Sequence, residues 1–324
     1  MAPLAVARYV ADTFRGGAVA VRVLDDAEAI RREYPLMAAV TRAADTVERH
    51  RGCVIFLEYE PKEYDRTVML VGKGVTYDTG GADIKAGGAM AGMSRDKCGA
   101  AAVAGFLKAC ELLKPRIKVV AALGMVRNSV GENAYVSDEL VKSRLGLSVR
   151  VGNTDAEGRM VMGDLLAEMA QRAAAEKEPH LYTVATLTGH VVRAYGSAYT
   201  AAMDNHAAAA KEHARALQGA GARLADMLEV STIRREDLAE HRGRVAGDHV
   251  HQAGNTASSA MPRGHQAPAA FLLLVSGLER GSVPYTHLDV AGSAGSLPAA
   301  PTAAPLLALA AHYELAQSCS ALCS

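Results

Sequence analysis

The run Thr67-Val-Met-Leu-Val71 carries no charge and stops at Gly72-Lys-Gly74. A strand with one wet face alternates apolar and polar side chains. A short, wholly apolar run describes instead a strand covered on both faces, as in a parallel sheet between two helix layers. Val54-Ile-Phe-Leu57 upstream has the same character, and Lys118-Val-Val-Ala-Ala-Leu-Gly-Met125 and Leu181-Tyr-Thr-Val-Ala-Thr186 repeat it downstream. Between them lie stretches built for helices. Residues 100–113 are Ala-rich and lack Pro, and residues 160–175 place Met162, Leu165, Leu166 and Met169 at helical spacing. Further strands are expected at 19–24 and 287–290, and further helices at 25–32, 37–49, 207–217, 269–278 and 303–313. Residues 76–91 and 231–268 read as loop. Strand alternating with helix predicts an α/β fold: a mixed, mainly parallel central sheet flanked by helices on both faces.

Lys plus Arg and Asp plus Glu each number 35, so the formal charge is zero. No excess of cations is available to neutralise phosphates, and neither a nucleic-acid nor a membrane partner is expected. The five cysteines, Cys53, Cys98, Cys110, Cys319 and Cys323, are odd in number and contain no Cys-x-x-Cys pair. That usage fits a reducing, cytoplasmic setting. No stretch is apolar for long enough to span a bilayer, and the apolar run before Arg8 is short for a signal peptide.

In open α/β sheets, sites collect beyond the carboxyl ends of strands. Lys73 and Asp78 follow one predicted strand, Thr186 ends another, and Asp96 precedes the Ala-rich helix. Asn153-Thr-Asp-Ala-Glu-Gly-Arg159 packs two carboxylates, an amide and a guanidinium into seven residues. In an extended segment Asp155 and Glu157 share a face and repel unless a cation lies between them. Each feature also has a structural reading: Thr154-x-x-Glu157 fits a capping box, Asp78 an Asx-turn, and Asp96 a helix cap. Lys73 could contact phosphate, but Gly-x-x-x-x-Gly-Lys-[Ser/Thr] is absent and Gly-x-Gly-x-x-Gly fails after Gly74. Taken together, Asp78, Asp96, Asp155 and Glu157 offer the carboxylates that two divalent cations sharing bridging oxygens need. Lys85 and Arg159 are left to stabilise an oxyanion or orient a base.

Val71-Gly-Lys-Gly-Val-Thr-Tyr-Asp-Thr-Gly-Gly81, Ile84-Lys85, Met93-Ser-Arg-Asp96 and the 153–159 heptapeptide together resemble the leucyl aminopeptidase family of di-metal exopeptidases. The Tyr-Asp-Thr-Gly-Gly version is similar to its probable-aminopeptidase branch. Thr186-Leu-Thr-Gly189 and His287-Leu-Asp-Val-Ala-Gly292 match further family segments. The resemblance implies that Lys73, Asp78, Asp96 and Glu157 hold one metal, and Asp78, Asp155 and Glu157 the other. The ions would be zinc or manganese, with magnesium or cobalt as alternatives. It implies that Lys85 polarises the scissile carbonyl and that Arg159 holds a bicarbonate ion acting as general base. Met93, Asn153, Thr186 and Gly189 fall where the family lines its substrate pocket. The implied activity is removal of one residue at a time from peptides with a free N-terminus, by a homohexamer.

The resemblance is weak over residues 1–50 and covers a catalytic core at 51–314, with 315–324 expected as a tail. The reading expects no counterpart of the family's separate N-terminal domain, and Ala11-Asp-Thr-Phe-Arg15 stands in place of an expected Asn-x-Pro-x-Asn-like segment. His190 stands where a small residue is usual, close to the expected bicarbonate position. Residues 247–268 are rich in His and Ser, and His249 and His251 are expected in a solvated loop. These departures support an alternative reading: a catalytically weak or inactive family member acting as a structural or assembly protein.

Overall fold

The computed structural model describes residues 2–316; Cys319, Cys323 and the rest of the expected tail from 317 onward lie outside the described residues. Among the described residues there are eleven strands: β1 (Val19–Leu24), β2 (Cys53–Tyr59), β3 (Arg66–Asp78), β4 (Ile117–Asn128), β5 (Leu140–Lys142), β6 (Ser148–Arg150), β7 (Pro179–Ala185), β8 (Thr200–Asp204), β9 (Leu228–Thr232), β10 (Val250–His251) and β11 (Tyr285–Asp289). The helices are α1 (Pro3–Phe14), α2 (Ala27–Glu33), α3 (Pro35–Thr41), α4 (Cys98–Leu113), α5 (Glu157–Ala173), α6 (Gly189–Tyr195), α7 (His206–Ala209), α8 (His213–Ala222), α9 (Arg235–Glu240), α10 (Gln266–Ser276) and α11 (Leu306–His312).

Eight strands form one sheet in the order β1-β2-β4-β3-β7-β11-β8-β9. The run β4-β3-β7-β11 is parallel, and so is β8-β9. β1-β2, β2-β4 and β11-β8 are antiparallel. The sheet is thus mixed and mostly parallel, with its parallel section at the centre. A small second sheet joins β10, β6 and β5.

The apolar runs are explained by cover on both faces. Along β3, Val68 and Leu70 enter a core shared with Val10 of α1, Phe106 of α4, Leu217 of α8 and Leu309 of α11. Met69 and Val71 enter the opposite core with Met37 of α3, Leu165 of α5 and Phe271 of α10. Period-2 alternation divides the same strand between two helix layers. Leu315 also belongs to the first core, so the packed fold continues past the expected start of the tail.

Several expectations are corrected. β3 does not stop at Gly72; it continues to Asp78. Gly72 and Gly74 are sites of close approach rather than turns. A Cβ on Gly72 would lie 2.7 Å from Ala100 Cα, and one on Gly74 would lie 2.3 Å from Met125 Sδ. The helix expected over 37–49 ends at Thr41 and gives way to two 3-10 turns. The helix expected over 207–217 is broken into α7 and α8, with Glu212 at φ 51° between them. β8 falls outside every predicted strand, and the presumed loop 231–268 contains α9 and β10. Of the two histidines expected in a solvated loop, His249 is exposed in a bend, its Nδ1 accepting from Ser148 N at 3.0 Å, whereas His251 pairs in β10 with β6.

Candidate metal centre

β3 supplies the base of the site at the carboxyl end of the parallel section. Lys73 sits inside the strand and is 3 % exposed. Its stem passes Gly158, where a Cβ would come within 2.7 Å of Lys73 Cε. An irregular register between Val75 and Asp78 marks the strand's end, the kind of break that re-aims a side chain. Asp78 Oδ1 accepts from Gly80 N at 2.9 Å, so the Asx-turn exists, and from Asn128 Nδ2 of β4 at 2.8 Å. Its Oδ2 faces the Lys85 ammonium at 3.0 Å.

The 153–159 heptapeptide crosses above this strand end. It is held by Gln252, which is wholly buried. Gln252 Oε1 accepts from Gly152 N and Asn153 N, and its Nε2 donates to Asn153 O and Ala156 O. Tyr135 Oη and Asn128 Nδ2 both donate to Thr154 O. Thr154 does not cap α5: its hydroxyl donates to Gly80 O at 2.7 Å and accepts from Asp83 N at 2.8 Å, binding the two site loops together. The first residue of α5 is Glu157 itself, after Ala156, which makes no side-chain cap. Asp96 likewise caps nothing, since α4 begins after Lys97 without a side-chain cap.

The result is one cluster, buried at Lys73, Asp78, Asp96 and Glu157 and more open at Asp155. Asp78, Asp155 and Glu157 each present an oxygen within 4.8 Å of the others. Lys73 Nζ lies 2.8 Å from Glu157 Oε1 and 2.9 Å from Asp96 Oδ1, and donates to Thr186 O at 2.8 Å. Lys85 Nζ lies 2.5 Å from Asp155 Oδ1. Asp96 Oδ1 also accepts from the Thr186 hydroxyl, whereas Asp96 Oδ2 is buried with no partner.

Four carboxylates against two ammonium groups leave two negative charges uncompensated. Burial, then Asp78 and Glu157, push the Asp155 carboxyl up to about 7. Burial raises Asp96 well above its ordinary range and raises Glu157 too, with Asp78 adding to the latter. Burial opposes the charge on Lys73, but Asp96 and Glu157 outweigh it and hold the amine protonated. Such a set fits divalent cations: oxygen donors converge, their charge is in excess, and one oxygen is orphaned.

A cavity of about 1100 Å³ opens over the cluster, and Met93, Asn153, Thr186 and Gly189 all line it. Arg159 lines it as well. Its Nη1 donates to Gln252 O at 2.9 Å, its Nε is buried without an acceptor, and burial lowers the guanidinium to about 10. His190 does not stand alone beside it: His190 Nδ1 meets His265 Nδ1 at 2.7 Å. Every residue expected at the site is therefore in or around this cavity. Asn128, Tyr135 and Gln252 were not singled out from the sequence, and each acts by a contact across 19 to 100 positions.

The fold and sequence have relatives. A Caenorhabditis elegans protein named "Putative aminopeptidase" is 45% identical over 97% of this chain, which covers 62% of that protein. The "Probable cytosol aminopeptidase" of Chlamydia muridarum is 34% identical over 90% of the chain and 54% of its own length. The chain thus spans little more than half the length of these curated relatives. Among solved structures, the bottromycin maturation enzyme BotP in complex with Mn superposes with a TM-score of 0.83 at 25% identity, covering 98% of this chain and 66% of that one. The model of the cytosol aminopeptidase family, catalytic domain, matches residues 1–309. With the match extending over nearly the whole chain, the protein belongs to the cytosol aminopeptidase family.

Proposed function

We propose that this chain is the catalytic part of a metal-dependent aminopeptidase that hydrolyses the N-terminal residue from peptides. The observation that carries the reading is the convergence of Asp78, Asp155 and Glu157 with Asp96 and Lys73 at the end of β3. Lys73, Asp78, Asp96 and Glu157 would hold one divalent ion, and Asp78, Asp155 and Glu157 a second; the Lys73 ammonium, protonated among these acids alone, would give up its proton to ligate, since a dication beside it favours the neutral amine. Zinc or manganese suits this oxygen-rich set with one amine, and magnesium or cobalt is compatible with it. When bound, such a pair supplies a water of lowered pKa and a Lewis acid for the scissile carbonyl.

The protein's own groups then have distinct tasks. Lys85, next to both Asp78 and Asp155, places a positive charge where the carbonyl oxygen gains negative charge. The buried, unpaired Nε of Arg159 fits a small anion, and bicarbonate held there would serve as general base. Met93, Asn153, Thr186 and Gly189 would shape the pocket for the first residue of the substrate. The reading extends to a cytoplasmic homohexamer, in keeping with the family resemblance.

The test is hydrolysis of leucinamide and a leucyl dipeptide by metal-loaded protein, with metal content measured in parallel. Hydrolysis should vanish on chelation, and Asp155→Asn and Glu157→Gln should each lose at least about 100-fold in kcat/KM together with bound metal. Metal-loaded protein that releases no N-terminal residue from any peptide would overturn the reading and favour a structural role.

A further inference from the structure

We propose that Arg95 is a specificity residue of this cavity and receives a carboxylate of the substrate. The inference rests on the aminopeptidase reading above and goes beyond it by naming a substrate class.

It begins with the cations that line the cavity. Lys73 and Lys85 are engaged by the four site carboxylates. Arg263 is paired with Asp237 at 2.6 Å, and Arg244 with Glu240 at 3.1 Å. Arg159 belongs to the site already described. Arg95 remains. Among the described residues, no carboxylate lies in ion-pair range of it, while every other lining cation except Arg159 has one.

The geometry of Arg95 is that of a held but unfilled donor. Nη2 donates to the carbonyl oxygen of Ala299, which fixes the plane of the guanidinium. Nε and Nη1 are shielded from solvent and have no acceptor. A buried guanidinium N–H without an acceptor is costly; Nε and Nη1 lie on different edges of the guanidinium, so a carboxylate would take one of them through a single charge-assisted hydrogen bond. Arg95 lies two residues after Met93 and immediately before Asp96, so the segment that lines the pocket and enters the metal cluster also carries this cation. The opposite wall of the guanidinium is Gly295, where a Cβ would stand 3.5 Å from Nη1. Gly295, Ser296 and Leu297 also line the cavity, so the group lies at its edge between two chain segments.

The carboxylate has two sources. It is either the side chain of an N-terminal Glu or Asp, or the C-terminal carboxylate of a dipeptide. Two substrate pairs separate them: glutamic acid α-amide against glutamine α-amide, and Leu-Gly against Leu-Gly amide. The readout is the ratio of kcat/KM within each pair, in the metal-loaded wild type and in Arg95→Gln and Arg95→Lys. One pair should favour the carboxylate in the wild type, and Arg95→Gln should reduce that ratio about 10- to 100-fold, the range of charge-assisted hydrogen bonds. Arg95→Lys should restore part of it, since the charge survives although the donor position shifts. The pair that responds identifies the source. Ratios that are unchanged by Arg95→Gln in both pairs overturn the inference, as does a uniform loss on all four substrates, which would make Arg95 only a tether for residue 299. If no variant hydrolyses leucinamide, the aminopeptidase reading fails, and calorimetric binding of L-glutamate against L-glutamine then decides Arg95. A preference for glutamate that Arg95→Gln removes supports it; equal binding ends it.

Discussion

Gln252 shows how much of the site hangs on one uncharged side chain. It satisfies two backbone N–H groups and two carbonyls of residues 152–156 from about 100 positions away. Truncation leaves Gly152 N and Asn153 N without their acceptor, while Asn153 O keeps Ala156 N. At about 1–3 kcal/mol for each orphan, and with partial relaxation, Gln252→Ala should cost about 2–4 kcal/mol. Gln252→Glu keeps both acceptors but loses both donors and buries a charge, so it should cost no less. Urea unfolding measures both; a change within about 0.5 kcal/mol for Gln252→Ala would remove the clamp from the argument. Activity should fall with the same substitution, because Asp155 and Glu157 lose their support. The acids themselves were legible in the sequence, since several carboxylates at predicted strand ends have few structural uses in common. Gln252 was not, because an amide in a polar loop carries no local sign of which backbone it will meet. Thr154 shows the opposite error: its capping pattern was present, yet Gly80 O and Asp83 N claim the hydroxyl.

The start of α4 lies directly against β7, and Gly99 makes that approach possible. A Cβ there would stand 2.1 Å from Val184 O and 2.7 Å from Val184 C, both backbone atoms. Two effects compete in Gly99→Ala. Helix propensity favours Ala by about 1 kcal/mol. Overpacking against backbone that cannot rotate away costs about 1–3 kcal/mol or more, and at this separation the helix must move off the sheet. The clash should win, with net destabilisation of about 1–2 kcal/mol, visible as a lower midpoint in urea; a stabilised variant would show that α4 is free to shift. Asp96 precedes this helix by two residues, so the displacement should also weaken metal retention. The same ambiguity of glycine explains what the sequence concealed among the elements. The apolar runs of β2, β3, β4 and β7 were legible because burial on both faces leaves few polar positions within them. The continuation of β3 through Gly72-Lys-Gly74 was not, since glycine marks a turn and a close approach equally well. β8 was missed because Thr200-Ala-Ala-Met-Asp204 is short and holds a single β-branched residue, Thr200.

Across the whole molecule, the buried histidines set the response to acid. Burial holds His213, His241 and His287 down at about 3, and His265 and His312 at about 4. In the unfolded chain a histidine takes up its proton near pH 6.5. Between those values the unfolded state binds protons that the folded state refuses, so stability is present above about pH 6.5 and is lost as pH falls toward the folded values. For the fully enclosed His241 and His287 the slope is about 1.4 kcal/mol per pH unit each. Two buried acids outside the metal cluster act in the other direction. Burial raises Asp164 to about 7 and Asp289 to about 6, so ionised folded carboxylates are disfavoured and stability grows as pH falls from those values to about 4. Both acids accept backbone hydrogen bonds that favour their charged forms, Asp164 from Leu36 N and Arg144 N and Asp289 from Leu187 N and Ala291 N, which limits their offset. With His180 also held well below its ordinary range by burial, six histidines stand against these two acids and the half-buried Asp204 and Asp226, which burial also raises, so the sign is negative overall. The urea midpoint should decline from pH 7 to about pH 4 and level off toward pH 3, where the folded histidines take up their own protons. His287→Gln, which retains a polar group beside the Thr183 hydroxyl, should flatten the decline by about 1.4 kcal/mol per pH unit relative to the parent. A midpoint that rises on acidification from pH 7 to 5 would mean that the acids, not the histidines, govern the stability of this fold.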